Sequence, residues 1–110
     1  MNTSYFAKSG KNANAVSIAF ISPKWFSGRR YEKLAPKYWL LKKFKEDLDE
    51  QFYIEHYYSE VLNRLDPQEV YNELGPDCIL LCWEKSGKFC HRHLIAKWFN
   101  ECLGIEVSEI

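Results

Sequence analysis

Apolar and polar positions along the chain fall into two periodicities, one suited to strands and the other to helices. Thr3 to Ala7 and Val16-Ser17-Ile18-Ala19-Phe20-Ile21 carry apolar residues at alternate and adjacent sites, which predicts two early strands. The connector Lys8 to Ala15 is polar and shorter than a typical parallel crossover, so the pair is either antiparallel or separated by another strand. From Pro36, which suits a helix start, Leu40, Leu41, Phe44 and Leu48 follow at helical spacing. Ile54, Tyr57, Tyr58, Val61, Leu62 and Leu65 form the apolar stripe of a second helix. Asp66-Pro67-Gln68-Glu69 reads as a cap, a proline at the first helical position and an acid three residues after the cap, which starts a short helix running to about Leu74. Ile79-Leu80-Leu81-Cys82-Trp83, bounded by Gly75-Pro76-Asp77 and Glu84-Lys85-Ser86-Gly87-Lys88, predicts a strand covered on both faces. Leu94, Ile95, Trp98, Phe99, Cys102 and Leu103 then place one apolar stripe on a helix that Gly104 ends.

This alternation predicts a small three-layer, Rossmann-like α/β domain with a largely parallel sheet of about four strands. With 110 residues, one domain is expected, and aromatic residues at 16% supply large buried areas from few side chains. Neither a signal peptide nor a membrane-length apolar run is present, so a soluble cytoplasmic protein is expected. Cys78, Cys82, Cys90 and Cys102 all lie in the last third; Cys78 and Cys82 are too far apart along one strand to bridge each other, and reduced thiols are expected.

Formal net charge is zero, but its distribution is uneven. Lys8, Lys11, Lys24, Arg29, Arg30, Lys33, Lys37, Lys42, Lys43 and Lys45 face a single acid, Glu32, whereas Glu46 to Asp77 is acidic apart from Arg64. Within the basic part, Lys24-Trp25-Phe26-Ser27-Gly28-Arg29-Arg30-Tyr31 interleaves aromatic rings with cations. Such a surface suits a nucleotide or nucleic acid, because rings stack on bases and cations meet phosphate. The competing reading anchors the loop through Trp25 and Phe26 and leaves the charges solvated. Lys8, Ser9, Gly10 and Lys11 offer amides and ammonium groups to a phosphate, but no complete phosphate-loop motif is present and a plain surface loop is preferred.

The densest chemistry lies between Ile79 and Leu103. In a strand-turn-helix unit the strand's C-terminal end and the helix's N-terminal end face one crevice, where open α/β sheets bind ligands. Cys82, Glu84, Cys90, His91, Arg92 and His93 fall there. The segment LLCWEKSGKFCHRHLIAKWF resembles the C-terminal signature of a bacterial and phage family known as domain of unknown function 488. That signature is an apolar strand ending in Cys and Glu, a Cys-His-Arg opening a helix, and a short terminal strand. The matching positions are Cys82, Glu84, Cys90, His91 and Arg92, with Ile105-Glu106-Val107 as the last strand. The resemblance implies the fold, the site and an enzyme built around cysteine and histidine.

Cys90 is the leading reactive group, since a thiol at a helix N-terminus meets unpaired amides and the positive end of the dipole, with Arg92 and histidine nearby. In this reading Glu84 and His91 orient or exchange protons and Arg92 grips an anion. The structural alternative makes Cys90 a packing residue and pairs Arg92 with Glu84. As metal donors Cys82, Cys90, His91 and His93 match no standard zinc spacing, and consecutive helical side chains diverge; no metal or other cofactor is expected. Disulfide exchange through Cys82 and Cys90 requires the turn to fold them together. Two function classes follow. One is a cysteine-dependent enzyme acting on an anionic, nucleotide-like substrate, and the other a non-catalytic nucleotide or nucleic-acid binding module using Lys24, Trp25, Arg29, Arg30, Cys82 and His93. A protein-protein module pairing basic and acidic halves between copies is the weakest.

Overall fold

The computed structural model describes residues 1–110 and is organised around one fully buried strand, β4 (Ile79–Cys82). It lies between β1 (Asn2–Tyr5) and β2 (Ala15–Ser17); β3 (Arg29–Arg30) flanks β2 and β5 (Ser108–Glu109) flanks β1, so the sheet order is β3-β2-β4-β1-β5. Every pairing is parallel. Leu80 stands opposite Thr3 on one side and Val16 on the other, which explains why an all-apolar strand is central: its ladder and both of its faces are covered.

Five helices complete the architecture: α1 (Phe6–Ser9), α2 (Tyr38–Asp47), α3 (Glu50–Glu60), α4 (Pro67–Leu74) and α5 (His91–Leu103), with single 3-10 turns at Glu32–Leu34 and Leu62–Arg64. The pleat sends Leu80 and Val16 to a core of 17 buried residues with Leu40, Tyr57, Val70, Ile95 and Phe99 from α2 to α5. Ile79, Leu81 and Ala15 go to the other face, in a cluster of five with Phe6 of α1. The result is a three-layer, Rossmann-like α/β fold with one thick and one thin outer layer.

The chain therefore crosses on the thin face after β1 and on the thick face after β4. These two strands are neighbours, so the crevice beyond their C-terminal ends lies at a reversal of the winding.

Several expectations are corrected. The sheet has five strands rather than about four, because Arg29 and Arg30, assigned to a loop, pair with Val16 and Ser17. The last strand is Ser108–Glu109 rather than Ile105 to Val107. The first strand stops at Tyr5, and Phe6 opens a helical turn that tucks its ring under the sheet. Of the two arrangements left open for the early strands, the second is found: they are separated by β4. The α3 stripe breaks at Val61 (φ −120°, ψ −72°), and Leu62 enters the core from a 3-10 turn. The α4 start behaves as expected, with Asp66 accepting from Gln68 N at 3.0 Å and Glu69 N at 3.5 Å. Asp66→Ala is expected to cost about 1 kcal/mol in urea unfolding; a loss within error of zero would show that the cap does not hold this helix.

Candidate functional site

β4 ends at Cys82, and the eight-residue return to α5 brings Cys90 back against it. Cys90 caps the helix with extended backbone (φ −156°, ψ 147°), so its side chain leaves the helical spiral and turns toward the strand. Cys82 Sγ and Cys90 Sγ are brought into contact, with Cα atoms 7.3 Å apart. Of the other two cysteines, Cys78 is buried and Cys102 is exposed. Spacing alone did not show this approach because the turn's path, and not the residue count, brings the sulfurs together.

His91 is 6% exposed and points inward. Its Nε2 lies 2.8 Å from the Ile18 carbonyl, and its Nδ1 is 3.7 Å from Cys90 Sγ. A carbonyl only accepts, so Nε2 carries the proton and Nδ1 presents its lone pair to the sulfur. Burial, with Arg92 and His93 adding positive charge, holds the imidazole down at about 4, against the partial support of the Ile18 carbonyl. At neutral pH His91 is uncharged.

Arg92 is fully buried. Its Nη1 donates to Cys82 Sγ at 3.0 Å, and its Nε and Nη2 donate to the two carboxylate oxygens of Glu109 at 3.1 and 2.8 Å. The internal partner is thus Glu109 of β5, not Glu84, and this carboxylate occupies the guanidinium edge that the sequence reading reserved for a bound anion. Thr3 Oγ1 donates to Glu109 at 2.5 Å and Ser86 Oγ at 3.1 Å. Partial burial pushes the Glu109 carboxyl up, but hydrogen bonds from Arg92 and Thr3, the Arg92 charge and Ser86 outweigh it and hold it at about 2. Nothing in the sequence pattern marks Glu109, because an acid near a terminus usually signals a solvated end.

The cluster borders a cavity of about 380 Å³ lined by Cys82 and His91 at its base, by Phe20, Ile21, Tyr38, Leu41 and Trp83 on its walls, and by Lys45 and Glu84. Phe20 and Tyr38 pair with ring centroids 5.5 Å apart, and Trp83 Nε1 donates to the Ile21 carbonyl at 2.7 Å, which steadies the wall. A neighbouring cavity of about 340 Å³ shares Ala19, Phe20, Pro36 and Tyr38 and adds Arg30, Lys37 and Glu32. Cys90 faces a small void of about 30 Å³ together with Glu84, Tyr53, Phe89 and His91. Glu84 is exposed at the meeting point of the first and third spaces.

The remaining candidates are dispersed. His93 is half-buried and lines none of these spaces; burial, then Arg92, holds its imidazole below the usual value. Arg29 donates to the Leu74 carbonyl at 3.0 Å and to that of Glu73, beside a cavity of about 290 Å³ at the opposite end of the sheet. Trp25 packs edge-on against Phe6 with Lys11 Nζ 5.6 Å from its ring centroid, beyond the thin layer. Lys24 is exposed and borders no cavity. Of the basic-aromatic loop only Arg30 reaches the groove continuous with the cysteine cluster. Phe20, Tyr38 and Lys45, which do line it, escaped the sequence reading because they belong to a strand pattern and a helix pattern rather than to a motif.

Fold and cluster together define a small all-parallel α/β protein with a Cys-His-Arg centre at the C-terminal end of its central strand. Residues 14–103 match the family model DUF488-N3a, described as the active DUF488-N3 subclade, and the chain belongs to that family. No curated protein and no solved structure matches it with significant similarity. No helix is long and apolar enough to cross a membrane.

Proposed function

We propose that this protein is a cysteine-dependent enzyme of the cytoplasm, acting on an anionic, nucleotide-like substrate held in the cavity beside Cys82 and His91. The observation that carries this reading is the alignment of His91: its Nε2–H is spent on the Ile18 carbonyl, so its unprotonated Nδ1 faces Cys90 Sγ 3.7 Å away. The word "active" in the description of the family supports it.

The working form is the reduced one, since neither sulfur of a disulfide is a nucleophile. In that form Cys90 passes its proton toward His91 Nδ1, and the resulting thiolate sits at the N-terminus of α5, whose free amides favour negative charge. An imidazole held at about 4 is a weak proton acceptor, so the helix terminus carries much of the stabilisation. Arg92 acts through the sulfur of Cys82 and positions the pair rather than gripping substrate. The anion contact passes to Lys45, with Arg30 and Lys37 in the adjoining cavity, while Phe20, Tyr38 and Trp83 offer ring faces to a base. Glu84, at the mouth, is placed to exchange protons with solvent or substrate.

The test is alkylation of the reduced, folded protein across pH, read by mass spectrometry for each cysteine. Cys90 is expected to label faster near neutrality than Cys102, although Cys102 is far more exposed, and faster than Cys78, which burial pushes up to about 11. Labelling in order of exposure would remove the nucleophile. The aromatic and basic lining of the cavity also favours a second reading, a nucleotide or nucleic-acid binding module without chemistry. That reading predicts salt-dependent polynucleotide binding that survives Cys90→Ser with no accelerated thiol.

A further inference from the structure

We propose that, with both thiols reduced, Cys82 Sγ, Cys90 Sγ and His91 Nδ1 form a three-ligand site for a thiophilic divalent cation of the zinc class, whose occupancy blocks the thiol chemistry. The blocking half rests on the enzyme reading above; the binding half does not. The three donor atoms lie within 4.8 Å of one another, and all three residues are buried. Two thiolates and one imidazole are a donor set that such a cation prefers over magnesium or calcium.

Three features of the geometry favour an ion. First, His91 already has the outer contact that metal-bound histidines use: its Nε2–H reaches a backbone carbonyl at 2.8 Å, which fixes the tautomer with Nδ1 free to ligate. Second, two donors on a tetrahedral zinc, one sulfur and one nitrogen, stand about 3.6 Å apart; Cys90 Sγ and His91 Nδ1 are separated by 3.7 Å. Third, the Cα atoms of Cys82 and Cys90 are 7.3 Å apart, beyond the ~4.4–6.8 Å span usual for a direct bridge. Sulfurs that share an ion separate to about 3.8 Å, which suits the wider backbone spacing.

Adjacent Cys90 and His91 converge only because Cys90 has extended backbone while His91 begins the helix, so the argument that consecutive side chains diverge does not apply here. The charges also close. Two thiolates neutralise the cation, and Arg92, whose own charge is met by Glu109, donates to Cys82 Sγ as an outer-shell partner. Because Cys82 and His91 line the 380 Å³ cavity, the fourth coordination position is directed toward it and is left for water or substrate.

The experiment titrates reduced, chelator-washed protein with Co²⁺, follows the thiolate charge-transfer and tetrahedral d–d absorption, and then displaces Co²⁺ with Zn²⁺. One equivalent is expected to bind. Cys82→Ser and His91→Ala should each weaken binding about 100-fold or more, a greater loss than removal of an outer-shell partner causes, whereas Cys102→Ser should leave it unchanged. The disulfide form of the unmutated protein should not bind, which tests the site without a substitution that risks the fold. In parallel, Zn²⁺ should slow alkylation of Cys90 at least ~10-fold and leave Cys102 unaffected. Absence of a tetrahedral thiolate spectrum, or binding that survives Cys82→Ser, overturns the metal site. Binding without protection of Cys90 overturns the blocking role. The alkylation profile of the metal-free protein decides the enzyme reading independently of all three results.

Discussion

Glu109→Ala is expected to destabilise the protein by about 3–5 kcal/mol in denaturant unfolding, far more than a surface ion pair contributes. The reason lies with its partner. Arg92 is fully buried and has lost all contact with water, and Glu109 supplies both of the oxygens that meet its Nε and Nη2. Without that carboxylate a guanidinium remains in the interior with only Cys82 Sγ as acceptor. Glu109 also accepts from Thr3 of β1 and Ser86 of the turn, so the two-residue strand β5 loses its side-chain anchor in the same step. The double variant Arg92→Met/Glu109→Leu should recover most of the loss, since replacing both members of a buried pair by apolar groups is often neutral. A cost below ~1 kcal/mol for the single variant would mean that the pair behaves as a solvated one. Failure of the double variant to recover would instead assign the energy to the strand anchor.

Acid should weaken the fold well before carboxylates are protonated. His91 titrates at about 4 in the folded chain against an ordinary value of 6.5. Between those limits the unfolded state takes up a proton that the folded state refuses, so stability is complete above pH 6.5, falls with pH, and levels off near pH 4. At 1.36 kcal/mol per unit the loss is about 3 kcal/mol. His93, lowered in the same direction by burial, adds to this limb. Glu109 adds a second limb: its carboxyl is depressed from 4.5 to about 2, so its contribution is present above pH 4.5 and is lost as pH falls toward 2. Unfolding free energies measured at intervals from pH 7.5 to 3 check the first limb. A flat profile down to pH 5 would show that His91 is not held neutral, and the lone pair that both the thiol chemistry and the metal site require would then be in doubt.

How much of this was legible in the sequence depends on the range of the interactions concerned. The α4 start at Asp66-Pro67, the buried run Ile79 to Cys82 and the α5 stripe of Leu94, Ile95, Trp98 and Phe99 rest on capping, burial pattern and periodicity, which are local, and each appears in the fold, whereas Trp83 and Cys102, expected in the same strand and stripe, are exposed. The same locality places Cys82, Glu84, Cys90, His91 and Arg92 near one junction, because a strand, a short turn and a helix leave them no room to separate.

Tertiary structure decided the rest. Strands as short as Arg29–Arg30 and Ser108–Glu109 carry no periodicity of their own and exist because β2 and β1 offer open edges. Arg92 meets Glu109 through pairing of the two ends of the chain, a contact between residues 17 apart that no spacing rule encodes. The basic-aromatic loop looked like one surface, but the sheet carries Arg29 to one end and the groove beside Arg30 to the other, while Trp25 packs over the thin face. His91 is selected as a neutral, oriented base by the carbonyl of Ile18, a backbone atom 73 residues away that any side chain at position 18 would supply. Local sequence determined which groups gather at the junction; long-range packing determined their partners, their protonation and the direction each one faces.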